Sequence, residues 1–254
     1  MDQIYIPKNR AGLAVGSYVL ISPVSGKQAK NVDVFYYGVD DIEPVKVRII
    51  KEIFNEVGGL VHLLDNLIIT GSFVEEGFGF RDVDLLIVTD EKIDVKVVEK
   101  KVNENLGVNL HVLMISEAEL ASGLKSDPFY LLMLSKCAAR KRFVYHMKRN
   151  VNYKILDLHL LKSKNLAENF DFLSGKDKYN MVRNAVAIDL FLSGRKIGMD
   201  EVNKEIRKVF GLKSVEEIKL NVLDKVDFLK KYKKFYNNVF EKIIKGVKND
   251  TKSK

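Results

Sequence analysis

The chain has 254 residues, 46% apolar and 30% charged, with 16 Gly, 4 Pro, 1 Cys and no Trp; at this length roughly 70–75% of the unfolded surface can be buried. A single cysteine excludes an intramolecular disulfide framework and a Cys-rich metal cluster. No stretch reaches the roughly 18–20 apolar residues of a membrane span, and Met1-Asp2-Gln3 lacks the basic start of a signal peptide, so a cytoplasmic protein without a membrane partner is expected.

The net charge of +8 is divided unevenly. Residues 1–122 hold 12 Lys and Arg against 19 Asp and Glu, while residues 123–254 hold 30 against 15. An acidic half suits cations and a basic half suits phosphates.

Residues 3–38 gather β-formers (Ile4, Tyr5, Ile6; Tyr18 to Ile21; Val32 to Tyr37) between Gly, Pro and Asn, which predicts short strands. After Pro44 the spacing of Val45, Ile49, Ile50, Ile53, Phe54, Val57, Leu60 and Val61 predicts an amphipathic helix. Leu67, Ile68 and Ile69 form a short apolar strand ending at Gly71, and Val83–Val88 forms a second. A helix around Asp94–Leu106 then leads to a strand at Val108–Ile115. From Asp127-Pro128 onward apolar residues recur every three or four positions through Leu131–Tyr145, Ile155–Phe172, Tyr179–Leu192, Val202–Phe210 and Val222–Ile244, with Gly175, Gly194 and Gly198 as turn or C-cap residues. The predicted organisation is a β-rich extension over residues 1–43, an α/β domain over 44–122 and a basic all-α helical bundle over 123–254.

The chemistry concentrates in IITGSFVEEGFGFRDVDLLIVTD. Gly71-Ser72 closes one apolar strand, and Asp82-Val83-Asp84 opens the next. Side chains two apart on a strand share a face, so Asp82 and Asp84 project together beside a hydrophobic ribbon. Their mutual repulsion and lost solvation call for a positive partner. All-oxygen donors favour Mg²⁺ or Mn²⁺ over Zn²⁺. Gly71 permits close backbone approach, and Ser72 with neighbouring N–H groups suits phosphate oxygens.

This pattern resembles the signature of the DNA polymerase β-like nucleotidyltransferase superfamily, over about residues 45–120, with the compactness of the minimal nucleotidyltransferases. The resemblance implies a mixed-sheet core over 44–122 and transfer of a nucleoside monophosphate from an NTP to an acceptor hydroxyl. It also implies Mg²⁺ on Asp82 and Asp84, with nucleotide at Gly71 and Ser72. Members usually supply a third carboxylate from the next strand. Here that strand reads VNLHVLMIS and offers Asn109 or His111, neither of them an acid, so a module that binds nucleotide without turnover is the alternative. Glu75 and Glu76 are further acids in the intervening loop.

Arg81 either meets a phosphate or pairs with Glu75 or Glu76. Arg183, near Tyr179, faces either the acidic cleft or solvent. Arg140, Lys141, Arg142, Lys148 and Arg149, interleaved with Phe143 and Tyr145, and the run Lys230–Asn238 either bind RNA or another polyanionic acceptor or solubilise helices whose aromatics pack inward.

Overall fold

The computed structural model describes residues 32–144 and 148–252, the last four of these by backbone alone. Among the described residues five strands form one mixed sheet: β1 (Phe35–Tyr37), β2 (Leu64–Thr70), β3 (Val83–Thr89), β4 (Leu110–Ile115) and β5 (Cys137–Ala139), in the order β1-β5-β2-β3-β4. β2 and β3 are antiparallel, whereas β3 and β4 run parallel through the crossover helix α2 (Val95–Leu106).

The central strands are apolar at successive positions because both faces are covered. Leu67, Ile69, Leu85 and Ile87 pack with Ile50, Ile53, Phe54 and Val57 of α1 (Pro44–Gly58) and with Val98 and Val102 of α2. On the other face Ile68, Leu86 and Val88 meet Leu120 and Leu124 of α3 (Glu117–Ser126) and Leu134 of α4 (Pro128–Leu134). A separate core joins α5 (Tyr153–Glu168), α6 (Gly175–Leu192), α7 (Met199–Phe210), the single turn α8 (Glu216–Lys219) and α9 (Lys225–Lys252). Leu132 belongs to this second core and Leu134 to the sheet, so α4 ties the two together. The class is an α/β core with a mixed sheet followed by a largely helical region. No helix among the described residues is long and apolar enough to cross a membrane.

Several expectations change. The strands expected at Ile4–Ile6 and Tyr18–Ile21 lie outside the described residues, whereas Phe35–Tyr37 does form a strand. The helix expected over Leu131–Tyr145 ends at Leu134 and gives way to β5, which pairs with both β1 and β2. Cys137, Ala138 and Ala139 are weak β-formers without alternation, and all three are fully buried. α3, placed in no predicted element, starts from a capping box between Ser116 and Glu119. Gly175 and Gly198 open helices rather than close them, as the first residue of α6 and the N-cap of α7, while Gly194 follows α6 with φ of +69°.

Candidate active site

A cavity of about 770 Å³ lies between the sheet and the helical region. Its floor is the end of the β2–β3 ladder, where Thr70 stands opposite Asp84. Asp84 shares the face of Leu86 and Val88, the side covered by α3 and α4, which turns its carboxylate toward the helices. The chain leaves β2 through a 3-10 turn, Gly71–Val74, with Gly71 at φ +78°. A Cβ on Gly71 would fall on Oδ2 of Asp84, so only glycine allows this backbone and that carboxylate to meet. Thr70 Oγ1 donates to the Met133 carbonyl at 2.7 Å and fixes the turn against α4.

Gly71, Ser72, Asp82, Asp84, His111 and Arg183 all line this cavity. Asp82 is exposed and makes no hydrogen bond or ion pair among the described residues. His111 answers what stands across from the acids: β4 pairs it with Asp84, and Nδ1 lies 3.0 Å from Asp84 Oδ1. That hydrogen bond raises the imidazole pKa against a smaller desolvation effect, and the charges of Asp84, Asp82 and Glu99 raise it further. Asn109 does not face this cavity. Its amide oxygen accepts from Asn103 of α2 at 2.7 Å, and its side chain lies outside the cavity lining. Arg81 is exposed, pairs with neither Glu75 nor Glu76, and is absent from the lining, whereas Glu75 is part of it.

The opposite wall is cationic and amide-rich. Along α6, Lys176, Tyr179, Asn180, Arg183 and Asn184 fall on one stripe at helical spacing. Arg183 is half-buried, and burial lowers its pKa while Tyr179 and Glu75 act in the opposite direction. Its Nε and Nη2 donate only to the neutral Asn184 amide, at 3.2 and 3.0 Å, and no carboxylate pairs with it among the described residues. Tyr179 is 6% exposed and donates to Asn203 of α7 at 2.8 Å. Lys219 reaches the cavity because Gly175 has no side chain to block the Lys219 carbonyl, which seats α8 on the start of α6.

Several members of the basic and aromatic runs bond within the fold. Arg140 presses its guanidinium against Gly58, and Lys141 Nζ donates to the Leu64 carbonyl at 3.0 Å. Arg142 covers the Phe35 ring at 4.9 Å. Arg149 donates to the carbonyls of Phe191, at 3.0 Å, and Arg195, closing the end of α6. In the second run Tyr232 is fully buried, and Lys231 binds Asp227 and the Phe210 carbonyl. Tyr145 lies outside the described residues.

Among the described residues no group of three or more His, Cys, Asp and Glu side chains forms a metal cage. Two carboxylates on one wall nevertheless suit Mg²⁺ or Mn²⁺, since such an ion takes one or two protein carboxylates and completes its shell with water and phosphate oxygens.

Fold and site together define an α/β core with a two-acid cleft facing a helical wall. No family model matches the chain, and no curated protein does. Among solved structures, spectinomycin adenyltransferase AAD(9) from Enterococcus faecialis, solved with ATP and spectinomycin, matches at 15% identity with a TM-score of 0.43, covering 78% of this chain and 98% of that one.

Proposed function

We propose that the protein is a Mg²⁺-dependent nucleotidyltransferase that moves a nucleoside monophosphate from an NTP to an acceptor hydroxyl. The observation that carries this reading is one cavity holding Asp82 and Asp84 beside the Gly71-Ser72 turn, opposite an unpaired, half-buried Arg183. A half-buried guanidinium that only Tyr179 and Glu75 influence from beyond ion-pair distance leaves charge to neutralise, and a polyphosphate supplies a contacting anion. Gly71 and Ser72 receive phosphate oxygens from below, and Arg183 from above.

Asp82 and Asp84 are the residues that would hold a divalent ion, which supplies charge neutralisation at the triphosphate and leaving pyrophosphate. In the transfer, the acceptor oxygen bonds to the α-phosphorus as the bond from that phosphorus to the bridging oxygen breaks, releasing pyrophosphate. The acceptor proton passes to His111, at the position where the resemblance implies a third acid. Asp84 takes the Nδ1 side of the ring, which leaves Nε2 as the accepting atom. The stretch 44–122 supplies the acids and 123–254 the cationic wall, whose Lys136, Lys176, Lys219 and Arg183 line the cavity, with Glu75 the lining acid that acts on Arg183 and Lys219, and favour RNA or another polyanionic acceptor.

A second reading has its own support. His111 already occupies one Asp84 oxygen, and no third carboxylate stands on β4, which favours a module that binds nucleotide without turnover. The test is incubation with labelled NTPs, Mg²⁺ or Mn²⁺ and total RNA, with pyrophosphate followed in parallel. Label transfer that disappears in Asp82→Asn with Asp84→Asn is expected, and undiminished transfer by that double variant refutes the metal assignment. NTP affinity without pyrophosphate release selects the second reading.

A further inference from the structure

Lys46, in the first turn of α1, is fully buried. Its Nζ donates to the carbonyls of Glu75 at 2.6 Å and Gly77 at 2.5 Å, and pairs with Glu43 at 2.8 Å. Two ammonium protons therefore have carbonyl acceptors, and the Glu43 carboxylate adds an ion pair. The rings of Phe73, Phe78 and Phe80 stand 5.9, 5.3 and 5.6 Å from it, within reach of a cation–π attraction. Glu43 returns the grip, because its Oε1 accepts the Gly77 N–H at 2.5 Å. Two side chains three residues apart thus hold one glycine by both its N–H and its C=O. Gly77 sits at φ +84°, where a side chain is disfavoured.

The gripped segment joins the two halves of the site. Gly71-Ser72 lies just before it and Asp82 just after, while Glu75 extends from it into the cavity. An ammonium is expensive to bury, so one held by two backbone carbonyls and an ion pair fixes the backbone that binds it. We propose that Glu43 and Lys46 are positioning residues, a clip that holds the arch over residues 75–81 and so sets Glu75 and Asp82 in the cavity. The clip's existence is independent of the nucleotidyltransferase reading, and only its effect on transfer rests on that reading.

The test compares wild-type protein with Lys46→Met, which keeps the apolar stem among the rings, and with Glu43→Gln. Trypsin cleavage after the exposed Arg81 reports opening of the arch, and cleavage after the exposed Lys213 reports opening elsewhere. For Lys46→Met, cleavage after Arg81 is expected to accelerate about tenfold or more at a temperature where the fold is intact, with the Lys213 rate unchanged. Equal acceleration at both sites, or no change at Arg81, overturns the clip. Should Lys46→Met fail to fold, Glu43→Gln applies the same site-selective criterion. In transfer assays the Lys46→Met variant is expected to lose kcat by about tenfold or more with little change in KM for NTP. An unchanged kcat overturns the positioning role. A wild-type protein with a protected arch but no transfer overturns the catalytic reading and leaves the clip standing.

Discussion

The cations of residues 140–149 and those of α6 look alike in the sequence and do opposite work. Arg140, Lys141, Arg142 and Arg149 end on a helix terminus, a strand carbonyl, a ring and the closing carbonyls of α6. Arg183 and Lys176 face the acids of β3 with no ion pair among the described residues. Charge density along a chain counts cations, but only their partners show which remain available to a ligand. Those four cations of the dense run are held by the fold, and the sparse stripe on α6 is free of ion pairs among the described residues.

The acid wall offers the largest lever on this contrast. Gly71→Ala places a methyl group on Asp84 Oδ2 and forces a side chain to φ +78°. The strain is expected to cost about 1–3 kcal/mol of stability, visible in a denaturant titration. Displacing Asp84 by a fraction of an ångström or more is expected to reduce transfer by about 100-fold. A Gly71→Ala protein with wild-type turnover would show that the close contact between glycine and carboxylate has no catalytic role.

The two groups of arginines are separated by a crossed pair of substitutions. Arg183→Met is expected to weaken NTP binding by about 10–100-fold, the worth of a charge-assisted hydrogen bond, with little loss of stability because among the described residues it hydrogen-bonds only the Asn184 amide. Arg149→Met is expected to lose about 1–3 kcal/mol of stability, since the Phe191 and Arg195 carbonyls are left without their donor, while NTP affinity stays unchanged. Calorimetric titration with NTP and thermal melts read both effects. If Arg149→Met lost NTP affinity without loss of stability, the division between consumed and free cations would be wrong.

The legibility of these features in the sequence follows their physics. Gly71-Ser72 and Asp82-x-Asp84 stand out because each abuts an apolar strand, and strand alternation alone aims both acids the same way. His111 follows from the same alternation one strand over, while Asn109 is removed only by Asn103, a partner on α2 that no local pattern reveals. β5 is invisible because Cys-Ala-Ala carries neither alternation nor β-branching, and its place is set by the space between β1 and β2. Arg183 alone is compatible with either side, and the α6 stripe of Lys176, Tyr179 and Asn180 is the signal that resolves it. Lys46 reads as an ordinary solvated lysine beside Pro44. Its burial depends on three phenylalanines about 30 residues downstream, at a range that helical periodicity does not report.

The smallest expected effect concerns the same clip in acid. A hydrogen bond from Lys46 holds the Glu43 carboxyl down to about 2, from an ordinary value of 4.5, and the Gly77 N–H contributes in the same direction. With the folded pKa below the unfolded one, the unfolded chain binds a proton first as pH falls, so folding loses stability over that interval. The contribution is therefore complete above about pH 4.5 and disappears as pH drops through about 2. Glu43→Gln cannot titrate there. The melting-temperature advantage of wild type over Glu43→Gln is expected to be flat from neutral pH to about pH 5 and to shrink steadily toward pH 2. A difference that stays constant to pH 3 would mean that the Gly77 N–H and the Lys46 ammonium do not act through the Glu43 charge, and that the arch is held by the lysine and its aromatic neighbours alone.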